Sequence, residues 1–282
     1  MSYENERYWN ELHEHYRGKL RAVGWPALSE AFNAAKYASE TDSFLRALEF
    51  CPQSNESGVR ILETGIGTGF WTTLLIERLS NRGPRLTGLD ISDDALASVR
   101  ARFPDVELEK LDLRTIDPDK FHHGFDLVTA IMVLLHLTVP GEFANALRFS
   151  ARSVRPGGTL ILYEPAITDA YSPWFSTTRS GGNSMARCLD AYDEPLEREG
   201  LERIALFPGA SWLLNSPIEA GTRSGYWWRE EMWTVCSRAI YRFELLTARL
   251  SPVMLRLDAA LKERRGGGSA KFLVYRRLEA VS

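Results

Sequence analysis

The stretch VRILETGIGTGF, residues 59–70, decides how the rest of this chain is interpreted. Its apolar run lies between Gly58 and Gly65 and is typical of a buried parallel strand. Glycines then occupy alternate positions, as in a tight turn that favours residues without a Cβ. The leucines of residues 71–79 recur at helical spacing, so the turn is predicted to open a helix. A strand, a glycine turn and a helix start predict a cradle whose backbone N–H groups face a ligand.

The residues beside the glycines restrict which ligand this cradle can take. The dinucleotide fingerprint G-x-G-x-x-G would need a glycine at the position of Phe70, and the phosphate loop would need a lysine after Gly69. Glu63, two residues before the first glycine, would repel a pyrophosphate and attract a cationic amine. S-adenosylmethionine (SAM), which carries both an amino group and a carboxylate, fits this arrangement.

Two further acids end predicted strands. Residues 85–92, RLTGLDIS, give a strand with Asp90 at its carboxyl end, 21 positions after Gly69. In doubly wound sheets, an acid about 20 residues beyond the glycines binds ribose hydroxyls. Residues 106–113, VELEKLDL, alternate like a strand and end near Asp112. Both acids are therefore candidates for ligand contacts at one sheet edge.

The segment ETGIGTG, residues 63–69, resembles motif I of the class I SAM-dependent methyltransferases, [DE]-x-G-x-G-x-G. FDLV at 125–128 is similar to the opening of strand four in that family, and RPGGTLIL at 155–162 to its turn and strand five. These pieces cover roughly residues 59 to 164 in the family's order. The resemblance implies an α/β fold with a doubly wound, seven-stranded, mainly parallel sheet, N-terminal helices and a helical insertion before the last strand.

The resemblance also implies SAM as the cofactor and S-adenosylhomocysteine as its product. In the family, an aspartate at the place of Asp112 accepts from the adenine amino group, and Leu113 would offer its N–H. No metal is expected, because no His, Cys and Asp cluster has ligand spacing. The residues expected to bind the cofactor are Glu63, Thr64, Gly65, Gly67, Gly69, Asp90, Ile91, Asp112 and Leu113.

The first 50 residues are predicted to form two helices. Apolar and aromatic side chains recur at spacings of three and four from Tyr8 to Val23, giving one stripe. Gly24 and Pro26 interrupt it, and a second helix is predicted up to about Glu49. In the resembled family, such helices cover the cofactor and help to bind the acceptor.

The chain is divided into a helical cap (1–50), a core (51–208 and 269–282) and a helical insertion (209–268). The core continues with a helix at 187–199 and strands at 201–207 and 271–277. About 60 residues separate these last two strands, so the insertion is expected to form two or three helices and an acceptor lid. Packing of a small helical subdomain explains its aromatic residues equally well. These include Trp212, Tyr226, Trp227, Trp228, Trp233 and Tyr241.

Candidate catalytic residues are His136 and Glu164, at the ends of strands four and five. His136 is the favoured general base, with a hydrogen-bonded structural histidine as the alternative. His13 and His15 are expected on an exposed helix face. Most of the rate of methyl transfer can come from alignment of the reactants in a dry site. The candidate acceptor-binding residues are Trp9, Tyr16, Tyr37, Trp174 and Arg179.

The net charge and a missing motif argue against nucleic acids as partners. A net charge of −3 argues against non-specific nucleic-acid binding, and the [ND]-P-P-[YF] signature of base methylation is missing after Asp126. The class of acceptor that remains is a small molecule, and a specialised metabolic pathway is expected. DNA and membranes are not expected as partners, and a homodimer is an open possibility. The odd number of cysteines and the lack of a targeting signal predict a cytoplasmic protein.

Rival functions remain open. A nicotinamide dehydrogenase is disfavoured by Phe70 and by the missing Tyr-x-x-x-Lys pair. A non-catalytic protein that keeps the cofactor fold as a scaffold is a second alternative, since fold alone does not prove function. The third is methylation of a protein or RNA, with the arginine-rich insertion as the docking face.

Overall fold

The computed structural model describes residues 5–52, 58–173, 183–265 and 267–279. The strands are β1 Arg60–Thr64, β2 Arg85–Asp90, β3 Glu107–Lys110, β4 Phe125–Ile131, β5 Val154–Glu164, β6 Ala166–Ile167, β7 Arg187–Cys188, β8 Leu201–Pro208 and β9 Lys271–Arg277. The α-helices are α1 Asn5–His15, α2 Glu30–Leu48, α3 Phe70–Arg78, α4 Asp93–Arg102, α5 Pro140–Ser153, α6 Asp190–Arg198, α7 Arg223–Ala239 and α8 Glu244–Arg265. Short 3₁₀ turns occur at Leu20–Ala22, Ser80–Arg82 and Leu134–His136.

The main sheet has seven strands in the order β3-β2-β1-β4-β5-β9-β8. Strands β1 to β5 run parallel, and β9 is antiparallel to both β5 and β8. The chain order reverses between β1 and β4, where doubly wound sheets open a crevice at their carboxyl ends. The predicted doubly wound, mainly parallel sheet is confirmed. Strands β6 and β7 form a separate pair.

Helices cover both faces of the sheet, which explains why its central strands are buried along nearly their whole length. All seven residues of β4 are buried. On one face, Ile61, Leu127 and Ile161 belong to a cluster with side chains from α2, α3 and α4. On the other, Leu62 and Val128 belong to a cluster with side chains from α5 and α6. Burial on both faces is the environment in which parallel strands are stable.

The predicted insertion forms α7 and α8 on the outer side of α2. Helix α8 packs along α2, and the Asp258 carboxylate accepts hydrogen bonds from the Ser39 hydroxyl and, at 2.7 Å, from the Ser211 N–H. A third apolar cluster joins Phe32 of α2 to Trp233 of α7. The insertion is therefore anchored to α2.

Some element bounds differ from the prediction. The helix predicted over 187–199 begins only at Asp190, because Arg187 pairs with Ala166 in the short β6–β7 sheet. The first predicted helix ends at His15, and Gly18 then adopts a positive φ of 71°. No helix in the described part of the chain has the length and apolar composition needed to cross a bilayer.

Candidate active site

The glycine turn after β1 is tied to the end of β2. The N–H groups of Gly65 and Ile66 donate to the Leu89 carbonyl at 2.7 and 2.9 Å, and the Gly67 N–H donates to Asp90 Oδ2 at 2.9 Å. These amides are therefore not turned toward a ligand, contrary to the predicted cradle. A Cβ at Gly65 would lie 2.3 Å from Val133 Cγ2, so the close approach of these segments requires glycine.

Glu63 lies behind this turn with only 1% of its surface exposed. Its Oε2 accepts a hydrogen bond from the Thr72 hydroxyl at 2.7 Å, and its Oε1 has no partner among the described residues. Burial, with a further contribution from the charge of Asp90, raises the pKa of Glu63 to about 8. A buried carboxylate oxygen without a donor fits a ligand that brings an N–H or ammonium group.

Asp90 ends β2, Asp112 follows the neighbouring β3, and both line one cavity. The Asp90 carboxylate accepts one N–H on each oxygen, from Gly67 and from Ser92, both at 2.9 Å. Burial raises the pKa of Asp90, although these N–H bonds oppose the shift. Asp112 is instead held by Arg114, whose Nε lies 3.0 and 2.9 Å from the two carboxylate oxygens. Burial acts to raise the pKa of Asp112, but the bonds from Arg114 outweigh it and lower the pKa.

The chain makes an unusual turn where β4 ends. Met132 adopts a φ of +56°, which is uncommon for a residue with a side chain and is often found at functional sites. The next three backbone N–H groups donate to the carboxylate of Glu164, which is fully buried. The structure therefore gives Glu164 a different place from that expected of a candidate catalytic residue. Both of its oxygens are used to hold the turn that carries His136.

His136 lines the cavity at the end of this turn. Its Nδ1 lies 2.6 Å from the carbonyl oxygen of Asn183, which can only accept, so Nδ1 carries the hydrogen. When the ring is neutral, Nε2 therefore keeps its lone pair. Burial lowers the pKa of His136, although the Asn183 contact opposes the shift, and the neutral form is favoured at neutral pH. The Trp9 ring packs edge-on against the imidazole with centroids 4.9 Å apart.

Helices α1 and α2 supply a second wall of the cavity. His13, four residues after Trp9, is 5% exposed, which corrects the expectation that it lies on an exposed face. On α2, Lys36 Nζ lies 2.7 Å from Glu40 Oε1, and both side chains are more than nine-tenths buried. The Tyr163 hydroxyl donates to the same Glu40 oxygen at 2.6 Å. This pair places charged groups inside an otherwise largely apolar wall.

The cavity brings together most of the predicted site residues but not all of them. Among the described residues, its lining includes Trp9, Tyr37, Gly65, Gly67, Asp90, Ile91, Asp112, Leu113 and His136. It does not include Tyr16, Glu63, Thr64, Gly69 or Glu164. Tyr16 lies elsewhere, with its hydroxyl 3.4 Å from the Pro26 carbonyl. Trp174 and Arg179 fall outside the described residues.

Three residues that line the cavity, His13, Lys36 and Glu40, were not predicted to do so, although their helical spacing indicates it. Phe32, Lys36, Glu40 and Phe44 lie four residues apart on α2, so the charged pair shares the stripe of two buried phenylalanines. His13 shares a helix face with Trp9 by the same spacing. No described residue of 209–268 contributes to the lining, and the lid role of the insertion stays a prediction.

Over the described residues, no three His, Cys, Asp or Glu side chains gather closely enough to bind a metal ion.

Comparison with known proteins identifies the central segment. Residues 61–158 match the family model described as a methyltransferase domain. The ubiquinone biosynthesis O-methyltransferase of Alkalilimnicola ehrlichii is 36% identical over 108 residues, covering 37% of this chain and 40% of that relative. The trans-aconitate 2-methyltransferase of Methylobacterium nodulans is 35% identical over 106 residues, covering 38% of each chain. The chain thus spans about two fifths of the length of these curated relatives.

Solved structures share the fold over most of the chain. The [4+2]-cyclase SpnF superimposes with a TM-score of 0.54 at 18% identity, over 86% of this chain and 82% of that one. The geranyl diphosphate C-methyltransferase of Streptomyces coelicolor, solved with S-adenosyl-L-homocysteine, gives 0.54 at 12% identity, over 85% and 81%. At such identities the likeness concerns the fold alone. The family match places a methyltransferase domain at residues 61–158, and the predicted resemblance to the class I SAM-dependent methyltransferases is confirmed.

Proposed function

We propose that this chain transfers the methyl group of SAM to a small-molecule acceptor. The observation that carries the proposal is the row of groups along one sheet edge. In the order β3-β2-β1-β4, the cavity is lined by Asp112, Asp90, Gly65 and then His136. This order suits an extended ligand whose adenine, ribose and methionine parts follow one another, with the acceptor beside β4.

The residues of the chain that would hold SAM are assigned from this row. Asp90 keeps lone pairs on both carboxylate oxygens for the ribose hydroxyls. Leu113 and Asp112 border the adenine end, with Arg114 fixing the Asp112 carboxylate. Glu63, whose Oε1 has no described partner, lies at the methionine end behind the turn. SAM, when bound, supplies a methyl group activated by its sulfonium charge.

The proposed acceptor end is lined by apolar and aromatic side chains and by the imidazole of His136. Trp9, Tyr37 and Met132 give this end a wall that excludes water and aligns a flat or apolar acceptor. His136 Nε2 is the atom that can take a proton from an acceptor hydroxyl or amine. Glu164 acts through the turn and is a positioning residue, which replaces its predicted role as a base.

The names of the relatives support a small acceptor. Ubiquinone biosynthesis, trans-aconitate and geranyl diphosphate, which occur in those names, all concern small molecules. A role in specialised metabolism belongs to the same proposal. The buried Lys36–Glu40 pair offers a polar anchor for an acceptor that carries an acidic or amino group.

Calorimetric titration with SAM, S-adenosylhomocysteine and NADH tests the cofactor. Micromolar binding of the first two and none of NADH is expected, and binding of NADH alone would overturn the proposal.

Methyl transfer is then measured as S-adenosylhomocysteine formed with panels of small phenols, carboxylic acids and amines, beside RNA and protein acceptors. Methylation confined to RNA or protein would refute a small acceptor. Since SpnF is a cyclase with this fold, gain of a methyl group must be seen in the acceptor itself.

A further inference from the structure

Helix α7 carries an apolar stripe on its outer face. Trp228, Met232 and Val235 are 57%, 37% and 55% exposed, and Ala239 is exposed one turn further on. The spacing of four, three and four residues is that of a seam along which two helices pack. The opposite face of α7 packs into its own subunit through Trp233, so the stripe faces away from the fold.

Two exposed charges of opposite sign flank the stripe on one side. Glu231 and Arg238 lie seven residues apart and therefore occupy the same position relative to the seam. At a rise of about 1.5 Å per residue they are roughly 10 Å apart along the helix, too far to form an ion pair with each other. A second helix that runs antiparallel and carries the same two charges would form an ion pair with each of them.

We propose that this stripe is the interface between two copies of the chain, with their α7 helices antiparallel about a two-fold axis. An axis between residues 233 and 234 brings Met232 opposite the partner's Val235 and Trp228 opposite the partner's Ala239. Large side chains then face small ones at both ends of the seam. Glu231 of each copy meets the partner's Arg238, so one charge pair is made twice.

The self-complementarity holds for the antiparallel arrangement alone. In a parallel pair, Trp228 would meet its own copy and the two Ala239 residues would leave a gap at the other end. Glu231 would then lie near the partner's Cys236 and gain no cation. The Trp228 ring is already packed edge-on against Trp212, with centroids 5.3 Å apart, which reduces the ordering cost of association.

A single pair of helices makes a small interface. Interfaces below about 1,200 Å² are typical of weak complexes, so a dissociation constant in the micromolar range is expected. The proposal does not depend on the methyltransferase assignment, because the stripe lies outside the cavity.

Analytical ultracentrifugation of the full chain from about 1 to 200 μM tests the interface. The wild-type protein is expected to change from monomer to dimer across this range. Val235→Asp should be monomeric throughout, because the interface would bury a carboxylate. Val253→Asp on α8 is the matched control, since this valine is 53% exposed and lies off the stripe. A wild-type monomer at every concentration, or dissociation by Val253→Asp alone, would overturn the proposal.

Charge reversal tests the arrangement without touching the apolar seam. Glu231→Arg and Arg238→Glu should each weaken dimerisation by roughly tenfold, because two ion pairs become two like-charge contacts. The double variant should restore the wild-type dissociation constant. Both positions are exposed, so these variants keep the fold and remain informative if Val235→Asp unfolds the protein. Dimerisation unaffected by either single reversal would exclude the antiparallel seam.

Discussion

The carboxylate of Glu164, at the end of β5, accepts a hydrogen bond from the Leu134 N–H at 2.8 Å. The same oxygen accepts from the Val133 N–H at 3.0 Å, and the second oxygen from the Leu135 N–H at 2.9 Å. One buried carboxylate thus fixes three consecutive amides of the turn that leads to His136. Burial raises the pKa of Glu164 to about 8, while these N–H groups oppose that shift.

Glu164→Gln should destabilise the protein by about 1–3 kcal/mol, because the amide NH₂ cannot accept and leaves a buried N–H without a partner. Urea unfolding of wild type and variant measures this difference. Glu197→Gln, an exposed position on α6, is the control and should leave stability unchanged. If Glu164→Gln unfolds at the wild-type midpoint, the carboxylate does not hold the turn.

His136→Ala should leave the affinity for S-adenosylhomocysteine nearly unchanged and slow methyl transfer by about 10²–10⁴-fold. The imidazole lies at the acceptor end, and its Nε2 is the proposed proton acceptor. His15→Ala, an exposed histidine on α1, should have the wild-type rate. An unaltered rate in His136→Ala would make this histidine structural.

The pH profile of the wild-type enzyme gives a second readout for His136. Burial places its pKa below the usual value of about 6.5, so the neutral base is present at pH 7. The rate of transfer should therefore fall only as the pH drops through this lowered pKa. A rate that declines already above pH 7 would exclude His136 as the titrating base.

The sheet, the glycine turn and the position of Asp90 could be predicted because each depends on a local pattern. Gly65 and Gly67 mark the turn after β1, and Asp90 ends the next strand at the sequence distance that a turn, a helix and a strand require. The near-continuous apolar run over residues 127–135 likewise predicts a central strand, and all seven residues of β4 are buried.

The side of the cavity formed by α1, α2 and the turn after β4 was harder to predict, because it depends on long-range packing. Glu164 binds amides some 30 positions earlier in the chain, and no local signal separates such a carboxylate from a catalytic one. The left-handed conformation of Met132 could not be predicted either, because the apolar pattern of residues 127–135 continues through it as in a single strand. The burial of His13 and Lys36 could be predicted only if it were known which face of each helix turns toward the sheet.

Asp90→Ala should weaken binding of S-adenosylhomocysteine by roughly 10- to 100-fold, because hydrogen bonds to a carboxylate contribute about 1.5–3 kcal/mol. Removal of the Asp90 carboxylate also leaves the Gly67 N–H without its acceptor, so part of the loss of affinity comes from a change in the glycine turn. Calorimetry measures the change, with Asp105→Ala as an exposed control. Equal affinity in both variants would remove Asp90 from the cofactor site.

The buried ion pair on α2 predicts strong coupling between two variants. Lys36→Met leaves the Glu40 carboxylate buried without its cation and should cost about 3–5 kcal/mol of stability. Lys36→Met/Glu40→Gln should be less destabilised than Lys36→Met, because the charge is removed as well. Thermal unfolding of the wild type, Lys36→Met, Glu40→Gln and the double variant measures the coupling between the two positions. Additive effects of the two substitutions would contradict the prediction.

Glu63 predicts a specific dependence of stability on pH. Burial raises its pKa in the folded protein to about 8, above the value of 4.5 expected in the unfolded chain. The folded state therefore binds the extra proton between these values, and its stability should fall as the pH rises from about 4.5 to 8. Urea unfolding at pH 5 and pH 8 should show Glu63→Gln losing less stability than wild type, by a few kcal/mol. Glu77→Gln, exposed on α3, should follow the wild type.

The same carboxylate gives a test of the proposed contact between Glu63 and the ammonium group of the ligand. If Glu63 Oε1 accepts from the ammonium group of S-adenosylhomocysteine, the bound cation stabilises the charged carboxylate and lowers its pKa. Saturation with this ligand should then reduce the difference between wild type and Glu63→Gln in the loss of stability from pH 5 to pH 8. An analogue without the amino group should bind and leave that difference unchanged. An equal reduction by both ligands would mean that Glu63 responds to closure of the site and makes no contact with the ammonium group.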